Sequence, residues 1–165
     1  AAELVKSAKA DLGFVMAQKE SQPLHFTELQ QIKWCALGDG LQDWQQGRLV
    51  NGQDEPTLIL LGHDTRTRDL LDLALPTLNL PKYRVMEVGS VDAQIDWAEA
   101  GFGVAIVPEF SLHPKLNLKT TITPLTELPT TSLGYIVRQN QVLSRAIKKL
   151  LNWVSEEIVS VQKLK

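Results

Sequence analysis

The segment LLGHDTRTR, residues 60–68, places acidic, hydroxyl and basic side chains directly after an apolar run. Its side chains of interest are Asp64, Thr65, Arg66, Thr67 and Arg68. A strand that runs straight into a helix presents free N–H groups and a positive dipole at the helix start, and an adjacent arginine can pair with a carboxylate or phosphate. The segment therefore predicts a site for a small anion. An ordinary capped helix with solvated arginines explains the same residues.

A second, weaker version of this arrangement occurs in EVGSVDAQ, residues 87–94, where Ser90 can cap a helix but no base lies beside it. Two carboxylates near the first segment, Asp69 and Asp72, stand three or four residues after Arg66 and Arg68. This spacing is typical of solvated ion pairs on a helix surface rather than of acid/base catalysis.

Other chemistry finds little support in the sequence. The histidines His25, His63 and His113 lie in separate segments without ligand-like spacing, and no zinc, calcium, nucleotide or hydrolase motif occurs. Cys35 lies in apolar surroundings that favour a buried, inert thiol. We therefore expect no metal, no cofactor and no catalytic residue.

Hydrophobic periodicity and turn residues predict the elements that position these side chains. Strands are predicted over residues 12–16, 32–37, 57–62, 84–88, 104–107, 118–122 and 132–138. Helices are predicted over residues 2–8, from Asp64 or Thr65 to near Pro76, over 91–100 and at the end of the chain. Strands that alternate with helices indicate an α/β fold with a largely parallel sheet.

Residues 39–56 form a polar connection with room for one short helix, in which Trp44, Leu49 and Val50 are apolar anchors. The last helix places Ala146, Leu150, Trp153 and Ile158 roughly along one face. Gly101 and Gly103 follow a helix and precede a strand, which is the reverse of a dinucleotide-binding loop. They predict a connector in which Gly101 closes the helix and Gly103 allows a tight entry into a buried strand.

Composition excludes several classes of protein. The chain has 165 residues, 44% hydrophobic and 22% charged, with a formal net charge of −2 and one cysteine. Its apolar runs are too short to cross a bilayer, and one cysteine allows no internal disulfide. No leader opens the sequence, so we expect a cytoplasmic protein.

Four stretches, taken together, resemble the effector-binding region of LysR-type transcriptional regulators, which is similar to type 2 periplasmic binding proteins. They are LVKSAKADLGFVM, LILLGHDTRTRDLLDLAL, EVGSVDAQIDWAEAGFGVAIVP and LGYIVRQNQVLSRAIKKLLNWV. They follow the family's order over nearly the whole chain, and EAGFGVAIVP is the most specific of them.

The resemblance implies two Rossmann-like α/β lobes with mainly parallel sheets, joined by two hinge crossover strands. The first lobe would comprise residues 1–38 and 115–165, and the second residues 39–114. An effector, most simply a small anion, would bind in the cleft between them. The residues assigned to this site are Asp64, Thr65, Arg66, Thr67, Ser90 and Met16.

The resemblance also implies a dimer or tetramer that binds DNA through an N-terminal winged helix-turn-helix. That segment is absent from this sequence, as is the first β-α unit of the first lobe, so we expect an N-terminally truncated, incomplete first lobe. Alternatives are a solute-binding protein of a transporter, a small α/β enzyme, and an interaction module of the same fold that has lost its ligand. The enzyme is disfavoured because no acid, base or nucleophile stands out.

Overall fold

The computed structural model describes residues 1–16, 23–112 and 118–163, and it divides the chain into two compact units. The first unit contains Ala1–Gln31 and Thr131–Lys165, and the second contains Ile32–Thr130. The predicted lobe boundaries, 1–38 with 115–165 and 39–114, assign residues 32–38 and 118–130 differently and stay a prediction.

The helices are α1 (Ala2–Lys6), α2 (Leu41–Gln45), α3 (Arg66–Ala74), α4 (Val91–Glu99) and α5 (Arg145–Lys163). The strands are β1 (Gly13–Met16), β2 (Leu24–Ile32), β3 (Trp34–Leu37), β4 (Thr57–Leu61), β5 (Arg84–Val88), β6 (Val104–Pro108), β7 (Ile122–Pro124) and β8 (Thr131–Arg138). Short 3₁₀ turns cover Leu75–Leu78 and Glu109–Ser111. None of the described helices combines the length and apolar content that a membrane span requires.

The second unit is built on a five-stranded sheet in the order β5-β4-β6-β3-β7. Strands β5, β4 and β6 are parallel, and β3 is antiparallel to both β6 and β7. The predicted order of strand, helix, strand, helix, strand is confirmed over β4, α3, β5, α4 and β6. The fold is therefore α/β, and the strands of this run can pair in parallel because its helices provide the crossovers.

Part of the core of the second unit lies where α4 packs on the sheet. Its buried cluster comprises Leu37, Ile59, Ile95, Ala98, Ala105 and Val107. Gln94, only 1% exposed, donates through Nε2 to the carbonyl oxygens of Ile59 at 2.9 Å and Ile106 at 3.1 Å. This amide therefore fixes α4 to β4 and β6 and satisfies its own buried donor group.

The two glycines after α4 have different structural roles. Gly101 has φ +79°, the left-handed conformation that closes a helix, as predicted. Gly103 instead permits close packing, because a Cβ there would stand 2.3 Å from the carbonyl oxygen of Thr57. The connector is therefore confirmed, and Gly103 is required by the approach of the β4 backbone.

The first unit contains a three-stranded sheet in the order β1-β8-β2, in which β1 and β8 are antiparallel. Val5, Leu24 and Ile136 form its buried cluster. The nine-residue strand β2 was not predicted. The predicted strand over residues 32–37 corresponds to β3 and to Ile32, the last residue of β2. Leu24 and Ile32 are buried at its ends, but the residues between them do not alternate regularly, so the period-2 signal is weak.

Three further details differ from the predictions. β7 begins at Ile122, the last residue of the predicted strand over 118–122. Leu49 is exposed, whereas the other two predicted anchors are buried. In α5 the less exposed side chains are Ile147, Leu151, Val154 and Ile158, while Leu150 and Trp153 are 40% and 57% exposed. These four less exposed residues are spaced four, three and four positions apart, which follows the helical repeat more closely than the spacing of the predicted residues does.

Candidate functional site

Four residues separate the end of β4 from the start of α3, which therefore lies at the carboxyl end of a parallel strand with a neighbour on each side. Thr65 is its N-cap: its Oγ1 accepts from the backbone N–H of Arg68 at 3.2 Å and donates to the carbonyl oxygen of Gly62 at 3.0 Å. The N–H groups of Arg66 and Thr67 lie in the first turn, where a helix offers them no acceptor. This helix start therefore presents donors and a positive dipole to a bound anion.

Ser90 caps α4 in the same way, with its Oγ accepting from the N–H of Ala93 at 3.1 Å. β5 pairs with β4 so that Val88 is opposite Leu61, and the N–H of Gly62 donates to the carbonyl oxygen of Val88 at 3.3 Å. The two capped helix starts therefore follow neighbouring strands at one edge of the sheet, where ligands of open α/β sheets bind.

Arg68 has a different environment from the one predicted. Its side chain is 5% exposed. Its Nε donates to Asp72 Oδ1 at 2.7 Å, and its Nη1 donates to the carbonyl oxygen of Leu61 at 2.9 Å and to Glu87 Oε1 at 3.0 Å. The predicted i,i+4 pair of Arg68 with Asp72 is present, but the arginine is buried rather than solvated, because its guanidinium also contacts Leu61 of β4 and Glu87 of β5.

Burial alone would lower the pKa of Arg68, but the hydrogen bonds and charges of Asp72 and Glu87 outweigh it and raise that pKa above its ordinary value. The guanidinium is therefore charged and is already paired with the carboxylates of Asp72 and Glu87. A charge neutralised in this way has little attraction left for a ligand.

His63 lies beside Arg68, Asp72 and Glu87 and forms a polar cluster with them. The sequence analysis did not predict this cluster. The Nε2 of His63 lies 3.0 Å from Glu87 Oε1 and 3.1 Å from Arg68 Nη2, and its Nδ1 lies 3.6 Å from Asp72 Oδ2. The ring is exposed on one side and joins the polar cluster on the other. Glu87 comes from another strand, so no local spacing in the sequence indicated this group.

Arg66 is the more accessible of the two arginines. Its Nη1 is 3.5 Å from Asp69 Oδ2 in the predicted i,i+3 pair, and both side chains are half exposed. Such a pair is weak and can open to admit a ligand. Asp64 is exposed and Thr67 is partly buried in the same turn. Among the assigned side chains of this helix start, Arg66 is therefore the one that can supply a positive charge.

Met16 is the last residue of β1 in the first unit, where it is opposite Leu133 of β8. It is partly buried. Its assignment to the site stays a prediction.

The other candidate groups have structural explanations or lie outside the description. Cys35 is buried in β3, as predicted. No group of three or more potential ligands that could hold a metal ion occurs within residues 1–16, 23–112 and 118–163. His113 lies outside the described residues.

Comparison with solved structures supports the fold. The Synechocystis CcmR regulatory domain in complex with 2-PG has a TM-score of 0.72 at 16% identity, covering 94% of this chain and 76% of that one. The QuiR effector-binding domain in complex with shikimate has a TM-score of 0.70 at 15% identity, and the match covers 94% of this chain and 75% of that one. The BenM effector-binding domain with benzoate has a TM-score of 0.66 at 19% identity, covering 99% and 76%.

A search of curated protein sequences finds no match. The family model described as the LysR substrate binding domain matches residues 1–158, almost the whole chain. The chain therefore belongs to the LysR substrate binding domain family.

Proposed function

We propose that this chain is the effector-sensing domain of a LysR-type transcription regulator and that it binds a small anionic metabolite at the start of α3. The observation that carries the proposal is the pair of capped helix starts at one sheet edge, with the half-exposed Arg66 on the first of them. The N–H groups of that turn suit the oxygens of a carboxylate or phosphate. Asp64, Thr65, Arg66 and Thr67 would form one side of the site, with Ser90 beside it.

The relatives support an anion. The QuiR and BenM domains were solved with shikimate and benzoate, both carboxylates, and the CcmR domain with 2-PG. In this chain the buried Arg68 is paired with Asp72 and Glu87, so the proposal assigns the attraction to Arg66 and the helix start. A singly charged carboxylate fits this modest positive charge better than a multiply charged phosphate.

The wider role follows from the family and is part of the proposal. The domain would be regulatory rather than catalytic, would act in the cytoplasm as a homodimer or tetramer, and would reach DNA only through a separate winged helix-turn-helix. Effector binding would favour one of two arrangements of the assembly, since a ligand shifts an equilibrium by its difference in affinity for the two states.

The proposal is tested by thermal unfolding of this chain against benzoate, shikimate and a panel of other small carboxylates and phosphorylated metabolites. A ligand that binds only the folded state raises the unfolding midpoint, and one present at a hundred times its Kd adds about 2.7 kcal/mol to the free energy of unfolding. We expect a saturable rise with one or two related carboxylates.

The variants Thr65→Val and Thr65→Ser then separate binding from stability. Loss of the cap in Thr65→Val lowers the free energy of unfolding by about 1 kcal/mol and weakens effector binding, while Thr65→Ser keeps both. An effector whose affinity is unchanged in both Thr65→Val and Arg66→Gln would contradict the proposed site.

A further inference from the structure

The second unit has a cavity of about 310 Å³ at the other edge of its sheet. Thr57 and Val104, the first residues of β4 and β6, lie in its wall, whereas the proposed effector site follows the last residues of β4 and β5. Its other lining residues include Asp39, Met86, Phe102 and Thr120. The cavity is therefore distinct from the effector site, and its volume is at the lower end of the range for small-molecule pockets.

Hydrogen bonds hold one wall of this cavity in place. Glu99 at the end of α4 accepts from the backbone N–H groups of Lys119 at 2.9 Å and Thr120 at 3.1 Å. Asp39 Oδ1 accepts from the N–H of Thr121 at 3.1 Å and from its hydroxyl at 2.6 Å. Three successive amides are thus fixed by two carboxylates, and the wall is formed before any ligand binds.

Backbone constraints fix a further part of the lining. Gly101 lines the cavity in the left-handed conformation, and Gly103 beside it is pressed against the β4 backbone. The ring of Phe102 between them packs edge-on against Trp97, with 4.6 Å between the ring centroids, and stays about half exposed. Phe102 therefore lines the cavity as a half-exposed aromatic residue whose ring is supported by Trp97.

The charge of the lining is negative. Asp39 is its one ionisable side chain among the described residues, and no lysine or arginine lines it. The hydrogen bonds from the side chain and then the backbone of Thr121 hold the pKa of Asp39 below its ordinary value, so the carboxylate is ionised at neutral pH. Two carboxylate oxygens offer about four acceptor positions, and Thr121 occupies only part of them.

We propose that this cavity binds a small organic ammonium ion with a short apolar body. The ammonium would donate to Asp39 and lie against the face of Phe102, while the apolar body would contact Met86, Ala98 and Val104. A carboxylate binds an ammonium ion through charge-assisted hydrogen bonds, and an aromatic ring attracts it through a cation–π interaction. This second site does not depend on the proposed effector site.

The test is a titration of the full ¹⁵N-labelled chain with n-butylammonium, followed by ¹H–¹⁵N NMR. Butyrate and n-butanol have the same body with the opposite charge or none, so they are matched probes. We expect saturable shifts at the amides of the cavity with n-butylammonium, clearly weaker binding of n-butanol, and none of butyrate.

The variant Asp39→Asn keeps an acceptor oxygen for Thr121 and removes the charge. It should weaken n-butylammonium binding about fivefold, the order expected for a partly exposed charge pair, while Asp96→Asn on α4 outside the cavity changes nothing. Phe102→Leu, at a half-exposed position, should also weaken it. Binding that n-butanol matches, binding insensitive to Asp39→Asn, or no saturable shift in the cavity would overturn the proposal.

Discussion

At the scale of the residue, Arg68 shows how a side chain suited to ligand binding can serve the fold instead. Its guanidinium holds the carbonyl oxygen of Leu61 and the carboxylates of Asp72 and Glu87, so it joins the end of β4 to α3 and β5. Arg66, two residues earlier, makes one long, exposed pair. The two arginines therefore differ in burial and in partners although both follow threonine.

We predict that Arg68→Met lowers the free energy of unfolding by about 2–3 kcal/mol, because it leaves two carboxylates facing each other and a strand carbonyl without its donor. The loss stays below that of a fully buried pair, since the carboxylate side chains are 39% and 45% exposed. Arg66→Gln, the matched control, should change it by less than about 0.5 kcal/mol. Urea unfolding measures both, and equal effects would contradict the distinction.

Asp39 gives a pH dependence whose direction follows from its lowered pKa. A carboxyl group with a lower pKa in the folded state stabilises the fold above its unfolded pKa, near the ordinary value of 3.8, and loses that effect as the pH falls through the folded value. Wild type should therefore exceed Asp39→Asn in stability at pH 6, and the difference should shrink below pH 3.8. If the difference in stability between wild type and Asp39→Asn were the same at pH 6 as below pH 3.8, ionisation of Asp39 would not stabilise the fold.

At the scale of the element, the connector from α4 to β6 depends on Gly103. Gly103→Ala should lower the free energy of unfolding by about 1–3 kcal/mol, because the new Cβ would meet the Thr57 carbonyl at 2.3 Å and a backbone must move. Gly89→Ala has open space around the new Cβ and is the matched control. Thermal unfolding that gives the two variants equal midpoints would contradict this role.

The elements that the sequence predicted best are those whose signals are local. The caps Thr65 and Ser90, the helix end at Pro76 and the closing Gly101 each act within a few residues, and all are as predicted. Such signals determine where helices begin and end whatever the rest of the chain does. The run from β4 to β6 could therefore be placed almost residue by residue.

The features that the sequence did not predict depend on distant partners. Arg68 becomes buried because β5 brings Glu87 to it, and Gln94 is buried because two strand carbonyls accept its amide hydrogens. Strand β2 lacks regular alternation, so its pairing in the sheet decides its conformation more than its own sequence. The capped start of α3 was predictable, but the burial of Arg68 two residues after an exposed Arg66 was not.

At the scale of the whole molecule, the two proposed sites of the second unit have opposite character and lie at opposite edges of one sheet. The proposed effector site offers helix N–H groups and Arg66, and the cavity at the other edge offers Asp39 and Phe102. Because α4 begins beside the first and ends beside the second, the two sites share a rigid element. We expect carboxylates and ammonium ions to bind independently, with either raising the unfolding midpoint when the other is saturating.

The most direct test of the account is to map the bound carboxylate on the chain. The ligand with the largest rise in unfolding midpoint would be titrated into the ¹⁵N-labelled protein, and the amide shifts followed to saturation. We predict the largest shifts at the N–H groups of Arg66 and Thr67, with smaller ones near Ser90, and their loss in Thr65→Val but not in Thr65→Ser. Saturable binding that leaves these amides unmoved would contradict the effector site at the start of α3.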